Sequence, residues 1–115
     1  MWFKSARSAP VLGDFEQLVL LGVLRLAADA SGAAIRQEIR ERSARDVSIN
    51  AVYTTLDRLE GKQLLRSSVR DPTPERGGRR RKYYSLTPAG TAALKQAYRS
   101  FTAMAQGFES ALATR

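Results

Sequence analysis

After Gly61 the hydrophobic period of the chain changes, and that change limits the fold more than any other feature. Upstream, apolar residues return at helical spacing. Downstream, residues 64–69 and Arg81–Leu86 are short strand-like runs. Between them lie Asp71-Pro72-Thr73-Pro74 and Glu75-Arg76-Gly77-Gly78. Two prolines and two glycines argue for a hairpin with a long, mobile tip rather than a two-residue turn. Thr87-Pro88 then restarts a helix at once, with threonine as cap and proline at the first helical position, where its missing N–H costs nothing. The expected fold is mainly α with one two-stranded β hairpin.

Three helices precede the hairpin. Residues 11–29 form the first, with Asp14 as cap and Gln17 three residues on as a weak capping-box partner. Phe15, Leu18, Val19, Leu21, Val23, Leu24 and Leu26 cover more than one of its faces. A helix apolar nearly all round is central to a core, or serves a core and an interface together. Ser31 caps the second helix, residues 32–42, where Ile35 and Ile39 stand at i and i+4. Ser48 caps the third, residues 49–59. Val52, Leu56 and Leu59 form its inner stripe, and Asn50, Tyr53, Thr54, Asp57 and Arg58 lie mostly on the opposite side. In the second strand Tyr84, Leu86 and Lys82 share one face, and Tyr83 and Ser85 the other.

The last helix is expected to run to about Ala113. Leu94, Tyr98, Phe101, Ala105, Phe108 and Leu112 follow at alternating spacings of four and three, a heptad seam. A rod of roughly 38 Å, at ~1.5 Å per residue, exceeds what so small a domain needs for its own core. Self-association covers the seam; a helix folded back on its own domain is the alternative. The organisation is then a flexible segment over 1–10, a domain over 11–87 and a dimerisation helix over 88–115.

Composition narrows the chemistry. The 115 residues carry a net charge of +8 and contain no cysteine and no histidine. Disulfides, thiol nucleophiles and thiolate zinc sites are excluded. The commonest general base is missing too, and the 11 acidic residues form no dense metal cluster. No catalytic residue, metal site or cofactor is expected. The longest uninterrupted apolar run, residues 18–24, is far short of the ~20 residues of a membrane span, so a soluble cytoplasmic protein is expected.

The positive charge is localised. Arg66, Arg70, Arg76, Arg79, Arg80, Arg81 and Lys82 face only Asp71 and Glu75, so the segment holds a net +5. Three helices followed by a hairpin is the order of a winged helix-turn-helix. A basic hairpin neutralises phosphates, while a polar helix face fits the major groove. Arg58 can fork onto a guanine edge or a phosphate, Asn50 can pair with adenine, and Tyr53 and Thr54 can reach phosphates or a thymine methyl. The other reading of the run from Gly77 is a solvated charged loop.

Three blocks resemble PadR-type transcriptional regulators of the short class. They are Gly13-Asp14-Phe15-Glu16 with residues 18–21, residues 48–60, and Gly77-Gly78-Arg79-Arg80-Arg81-Lys82-Tyr83-Tyr84-Ser85-Leu86-Thr87-Pro88-Ala89-Gly90. The last block is specific: a glycine-arginine wing, paired tyrosines, and Leu-Thr-x-x-Gly opening a helix. The resemblance spans about residues 12–94. It implies a dimeric winged-helix protein binding a pseudo-palindromic DNA duplex, mostly as a repressor. It implies a recognition helix starting at Ser48, a phosphate-contacting tyrosine at Tyr53, and a wing carried by Gly78 to Lys82, to which the basic run adds Arg76. It also implies a C-terminal helix packed on the partner's first helix, so that Phe15 and Leu18 join the seam. Some members bind aromatic effectors near the dimer interface. Here Trp2, Phe101, Met104 and Phe108, with Phe3, are the candidates; plain interface packing is the simpler role for the three on the last helix. A protein-interaction module that binds a partner's helix through the same seam is the alternative function.

Three departures stand out. Ser31-Gly32 replaces the family's Tyr-Gly, so another residue must fill the volume of an aromatic ring. Gln63 stands where a glycine is usual, which requires either a left-handed glutamine at roughly 1 kcal/mol or a helix ending early at Gly61. Asn50-Ala51-Val52-Tyr53-Thr54 replaces Gly-Thr-Leu-Tyr-Pro, so groove contacts at 50 and 54 differ from the family's.

Overall fold

Hydroxyl side chains set three helix starts. The computed structural model describes residues 9–70 and 81–113. In it Ser31 Oγ accepts from the Ala34 N–H, Ser48 Oγ from the Ala51 N–H, and Thr87 Oγ1 from the Gly90 N–H. Each satisfies one of the unpaired donors of a first helical turn. The elements are α1 (Asp14–Leu26), a 3-10 turn (Ala27–Asp29), α2 (Gly32–Ser43), α3 (Ile49–Gly61), β1 (Leu65–Arg70), β2 (Arg81–Leu86), α4 (Pro88–Ala105) and α5 (Glu109–Ala113).

Helix α1 is shorter than its apolar pattern suggests. Gly13, not Asp14, is the cap residue, and its N–H donates to Glu16 Oε1 at 2.9 Å. Glu16 is the residue that reaches back; the Gln17 amide donates to the Leu12 carbonyl instead. At the other end Ala27 takes φ 52°, which turns the chain out of the helix two residues before the expected stop.

The core lies where α1, α2, α3 and the hairpin meet. Val19, Leu20, Ile35, Val52, Leu56 and Leu59 are fully enclosed there, joined by Leu64, Leu65 and Tyr84. The strands are antiparallel, with Leu65 opposite Leu86 and Arg70 opposite Arg81. The segment after the 3-10 turn stitches onto the outer edge of β2: Tyr84 N–H donates to the Ala30 carbonyl, and Ser31 bridges to Tyr83. Tyr83 and Tyr84 are therefore both buried, although they point to opposite faces.

The turn from α3 into β1 takes both options that the missing glycine left open. The helix ends at Gly61, and Gln63 also enters the left-handed region, at φ 63°. Thr87 Oγ1 donates to the Gln63 carbonyl at 2.7 Å, and the Thr87 N–H to the Leu64 carbonyl. These bonds dock α4 on the turn and offset the conformational cost at Gln63. Gly90 completes the contact. A Cβ there would fall 2.0 Å from the Leu64 carbonyl oxygen, so the helix approaches the turn as only glycine permits.

The C-terminal rod is broken, against expectation. Helix α4 stops at Ala105, and Gly107, at φ 93°, redirects the chain before α5. Glu109 Oε1 accepts from the Gly107 N–H, and Phe108 N–H donates to the Ala105 carbonyl. The continuous helix has 18 residues, about 27 Å at the usual rise.

Candidate nucleic-acid interface

Helix α3 is amphipathic in the expected sense. Val52, Leu56 and Leu59 are buried with Thr55, and Ser48, Asn50, Tyr53, Thr54, Asp57 and Arg58 are exposed on the opposite side or at its start. The turn that delivers α3 is tied down twice. Ala44 ends α2 in the left-handed region, and Arg36 Nε donates to the Val47 carbonyl at 2.7 Å. A buried core stripe on one side and a fixed turn at one end hold the polar face in a single orientation.

Tyr53 is less free than an outward position suggests. Its ring lies across Gly32 at the start of α2, and it is 44% exposed. A Cβ on Gly32 would fall 2.3 Å from Tyr53 Cε1 and 3.0 Å from its hydroxyl. The ring covers the place beside Ser31-Gly32, and the close approach orients the phenol.

Arg81 and Lys82, at the start of β2, are exposed, as is Arg66 on β1. The candidates Arg76, Gly78, Arg79 and Arg80 lie outside the described residues, as does the expected mobile tip. Among the described residues of the basic set, Arg70 and Lys82 are engaged by the fold itself. The Arg70 guanidinium lies 3.7 Å over the Tyr83 ring and donates to the Ala28 carbonyl. Lys82 Nζ lies 5.9 Å from the Tyr84 ring centroid and 3.8 Å from Glu60 Oε1. Arg70 thus anchors the loop-proximal end of the hairpin to the turn after α1. Its arginine type and position in a basic run carried no signal of that role.

Burial pushes the Tyr84 phenol up to about 12, helped by the charges of Asp57 and Glu60 and by Tyr53, so it is a neutral group at any working pH. Glu16 behaves differently. Burial raises its carboxyl, but the Gly13 N–H and the Lys62 ammonium at 2.9 Å, with Arg58 nearby, outweigh burial and hold it below the ordinary carboxylate value. This pair joins α1 to the end of α3. Its signal in the sequence was only an acid in a first turn.

A second surface is apolar. A groove of about 660 Å³ runs between α1 and α4, lined by Leu21, Leu24, Leu94, Tyr98 and Phe101 among others. Another, of about 480 Å³, joins residues 9–12 to α4 beside Phe101 and Met104. Tyr98 is 71% and Phe101 68% exposed, and Met104 more so. The expected seam divides. Phe15, Leu18 and Leu94 are half-buried against the chain's own core, Ala105 is half-buried, and Phe108 and Leu112 stay exposed on α5 beyond the break. Trp2 and Phe3 lie outside the described residues. No described helix is long and apolar enough to cross a membrane.

Comparison with known proteins agrees with this architecture. The family model described as "Transcriptional regulator PadR-like family" matches residues 20–96. The chain is 40% identical over 90 residues to the transcriptional regulator Rv3488 of Mycobacterium tuberculosis, covering 76% of this chain and 79% of that one. A PadR family transcription regulator from Clostridium difficile has a similar structure, with a TM-score of 0.62 and 31% identity over 82% of this chain and 97% of that one. A PadR-like transcription factor from Bacteroides fragilis gives 0.68 and 25% identity, covering 93% and 94%. The chain belongs to the PadR-like family: it is a DNA-binding transcriptional regulator, a winged helix-turn-helix with an added C-terminal helix.

Proposed function

We propose that the protein is a homodimeric, sequence-specific repressor. The observation that carries the reading is the exposed polar face of α3 beside a hairpin that holds most of the chain's net charge. In this reading Asn50, Thr54 and Arg58 read base edges in the major groove. Tyr53, Ser48 and the wing residues Arg76 and Gly78 to Lys82 grip phosphates. Residues 11–87 act as the DNA-binding domain and 88–115 as the dimerisation helix.

The exposed apolar face of α1 and α4 supports the dimer. Leu21, Leu24, Tyr98 and Phe101 form one continuous strip, and a second copy covers it through the same strip by two-fold symmetry. A dimer places two α3 helices on successive major grooves, and its operator is pseudo-palindromic. A small aromatic effector is the candidate switch. It would enter between the α4 helices beside Phe101 and Met104, near Phe108 and Trp2, and release the DNA.

Two measurements test this. Sedimentation of the protein alone yields a dimer; a stable monomer contradicts the symmetric repressor and favours a partner's helix in the groove. Titration of duplex binding against salt gives a steep loss of affinity, ~0.9 in log K per log salt for each phosphate neutralised. A flat dependence contradicts the wing's role.

A further inference from the structure

One carboxylate joins the last turn of α3 to both strands of the hairpin. Ser67 Oγ, on β1, donates to Glu60 Oε2 at 2.6 Å. Lys82 Nζ, on β2, lies 3.8 Å from Glu60 Oε1. Ser67 stands opposite Tyr84 in the register, and Lys82, two residues before Tyr84, shares its face. Tyr84 is buried and uncharged between them, and the negative charges of Glu60 and Asp57 both reach it. The Lys82 side chain is about half exposed and that of Glu60 about one third. The lysine is thus accessible to an incoming anion, while a fixed carboxylate already holds its charge.

We propose that Glu60 is a positioning residue that sets DNA affinity: it holds the Lys82 ammonium against α3 and competes with a DNA phosphate for it. The inference rests on the DNA-interface reading above. Ser67 holds one Glu60 oxygen, so the carboxylate cannot follow Lys82 outward. A Lys82–phosphate contact therefore forms at the expense of the Lys82–Glu60 pair, and the carboxylate stays close to a polyanion. An exposed pair of this kind is worth roughly a two- to fivefold change in a binding constant. Glu60 thereby lowers affinity for every sequence equally, because a phosphate contact carries no sequence information. Lys82, which the charge pattern ranks with the other cations of the wing, becomes a restrained one.

The variant Glu60→Gln keeps the shape and an acceptor for Ser67 and removes the charge. Binding to a random-sequence duplex of about three helical turns is titrated against salt for wild type, Glu60→Gln, Lys82→Gln and the double variant. The expected result for Glu60→Gln is affinity raised about two- to fivefold at ~0.1 M salt, with log K against log salt steeper by about 0.9, one added phosphate contact. Lys82→Gln weakens binding less in wild type than in the Glu60→Gln background, where it removes the gain. Equal slopes for wild type and Glu60→Gln, or an equal cost of Lys82→Gln in both backgrounds, overturns the proposal. If Glu60→Gln does not fold, Lys82→Gln is compared with Arg81→Gln. A smaller change of slope for Lys82→Gln supports the restraint, and an equal or larger one overturns it. A wild type that binds no duplex overturns the interface reading itself; wild-type binding with an unaltered variant overturns this inference alone.

Discussion

Replacing Gly32 with alanine tests whether the ring packed across it positions Tyr53 for binding rather than for folding. The new Cβ would fall 2.3 Å from Tyr53 Cε1, whereas a relaxed carbon–carbon contact needs about 3.5 Å, so something must retreat by about 1.2 Å. Helix α2 is held by Ile35 and Ile39 in the core, while the Tyr53 ring is half exposed and has open solvent beside it. The ring is therefore the part that moves. Losing its packing costs a fraction of overpacking's usual ~1–3 kcal/mol, and alanine's better helix propensity offsets some of it, by up to ~1 kcal/mol. Stability should change by less than about 1 kcal/mol, read from urea denaturation. DNA binding should suffer more. A hydroxyl displaced by over an ångström loses its phosphate bond, which is worth about 1.5–3 kcal/mol for a charged partner, or about 10- to 150-fold in affinity. Tyr53→Phe removes the same bond without moving the ring, and should lose a similar factor with full stability. The reasoning is refuted if Gly32→Ala binds duplex as tightly as wild type, or if Gly32→Ala weakens binding while Tyr53→Phe does not.

Other substitutions test the supports of the site. Gly90→Ala drives a Cβ into the Leu64 carbonyl, a backbone atom with no freedom to swing aside. It should destabilise by about 3 kcal/mol, lowering the thermal midpoint by roughly 12–24 °C for a domain of this size. A midpoint within a few degrees of wild type contradicts the close-approach argument. The Glu16–Lys62 pair predicts a pH dependence. The folded carboxyl lies below its ordinary value of 4.5, so its stabilisation is complete above that pH and fades as pH falls through the lower folded value. Glu16→Gln should be less stable than wild type by about 1 kcal/mol at neutral pH, and the difference should close on acidification below 4.5; a constant gap excludes the linkage. Arg70→Ala should loosen the loop-proximal end of the hairpin by removing the bond to the Ala28 carbonyl and the stack on Tyr83. Amide exchange in β1 and β2 then speeds up, while α2 exchanges as before.

How much of this was legible depends on the range of the interactions. Ser31, Ser48 and Thr87 were readable as caps because a cap involves residues three apart. The inner stripe of α3 was readable for the same reason, since Val52, Leu56 and Leu59 repeat with the helix. Gln63 announced its strain by standing where a glycine is usual. Other features are set by contacts the local pattern does not contain. Tyr83 is buried because the chain around Ser31, some fifty residues away, closes over it. Arg70 and Lys82 read as phosphate ligands because a charge run shows which residues are basic, not which carboxylate or carbonyl they meet. The break at Gly107 hid inside a seam whose four-three spacing continues through it, since an isolated glycine is tolerated within a helix. Glu16 looked like any first-turn acid, and its tie to Lys62 depends on the packing of α1 against α3.

The central claim is that two copies of this chain present two α3 helices to one duplex. Selecting bound molecules from a random duplex library with the full-length protein tests it most directly. The account predicts enrichment of an inverted repeat whose half-sites lie about 10 base pairs apart, one helical turn, and loss of that enrichment for a variant altered at Asn50, Tyr53 and Arg58. Enrichment of a single unpaired half-site, or of no sequence, contradicts it.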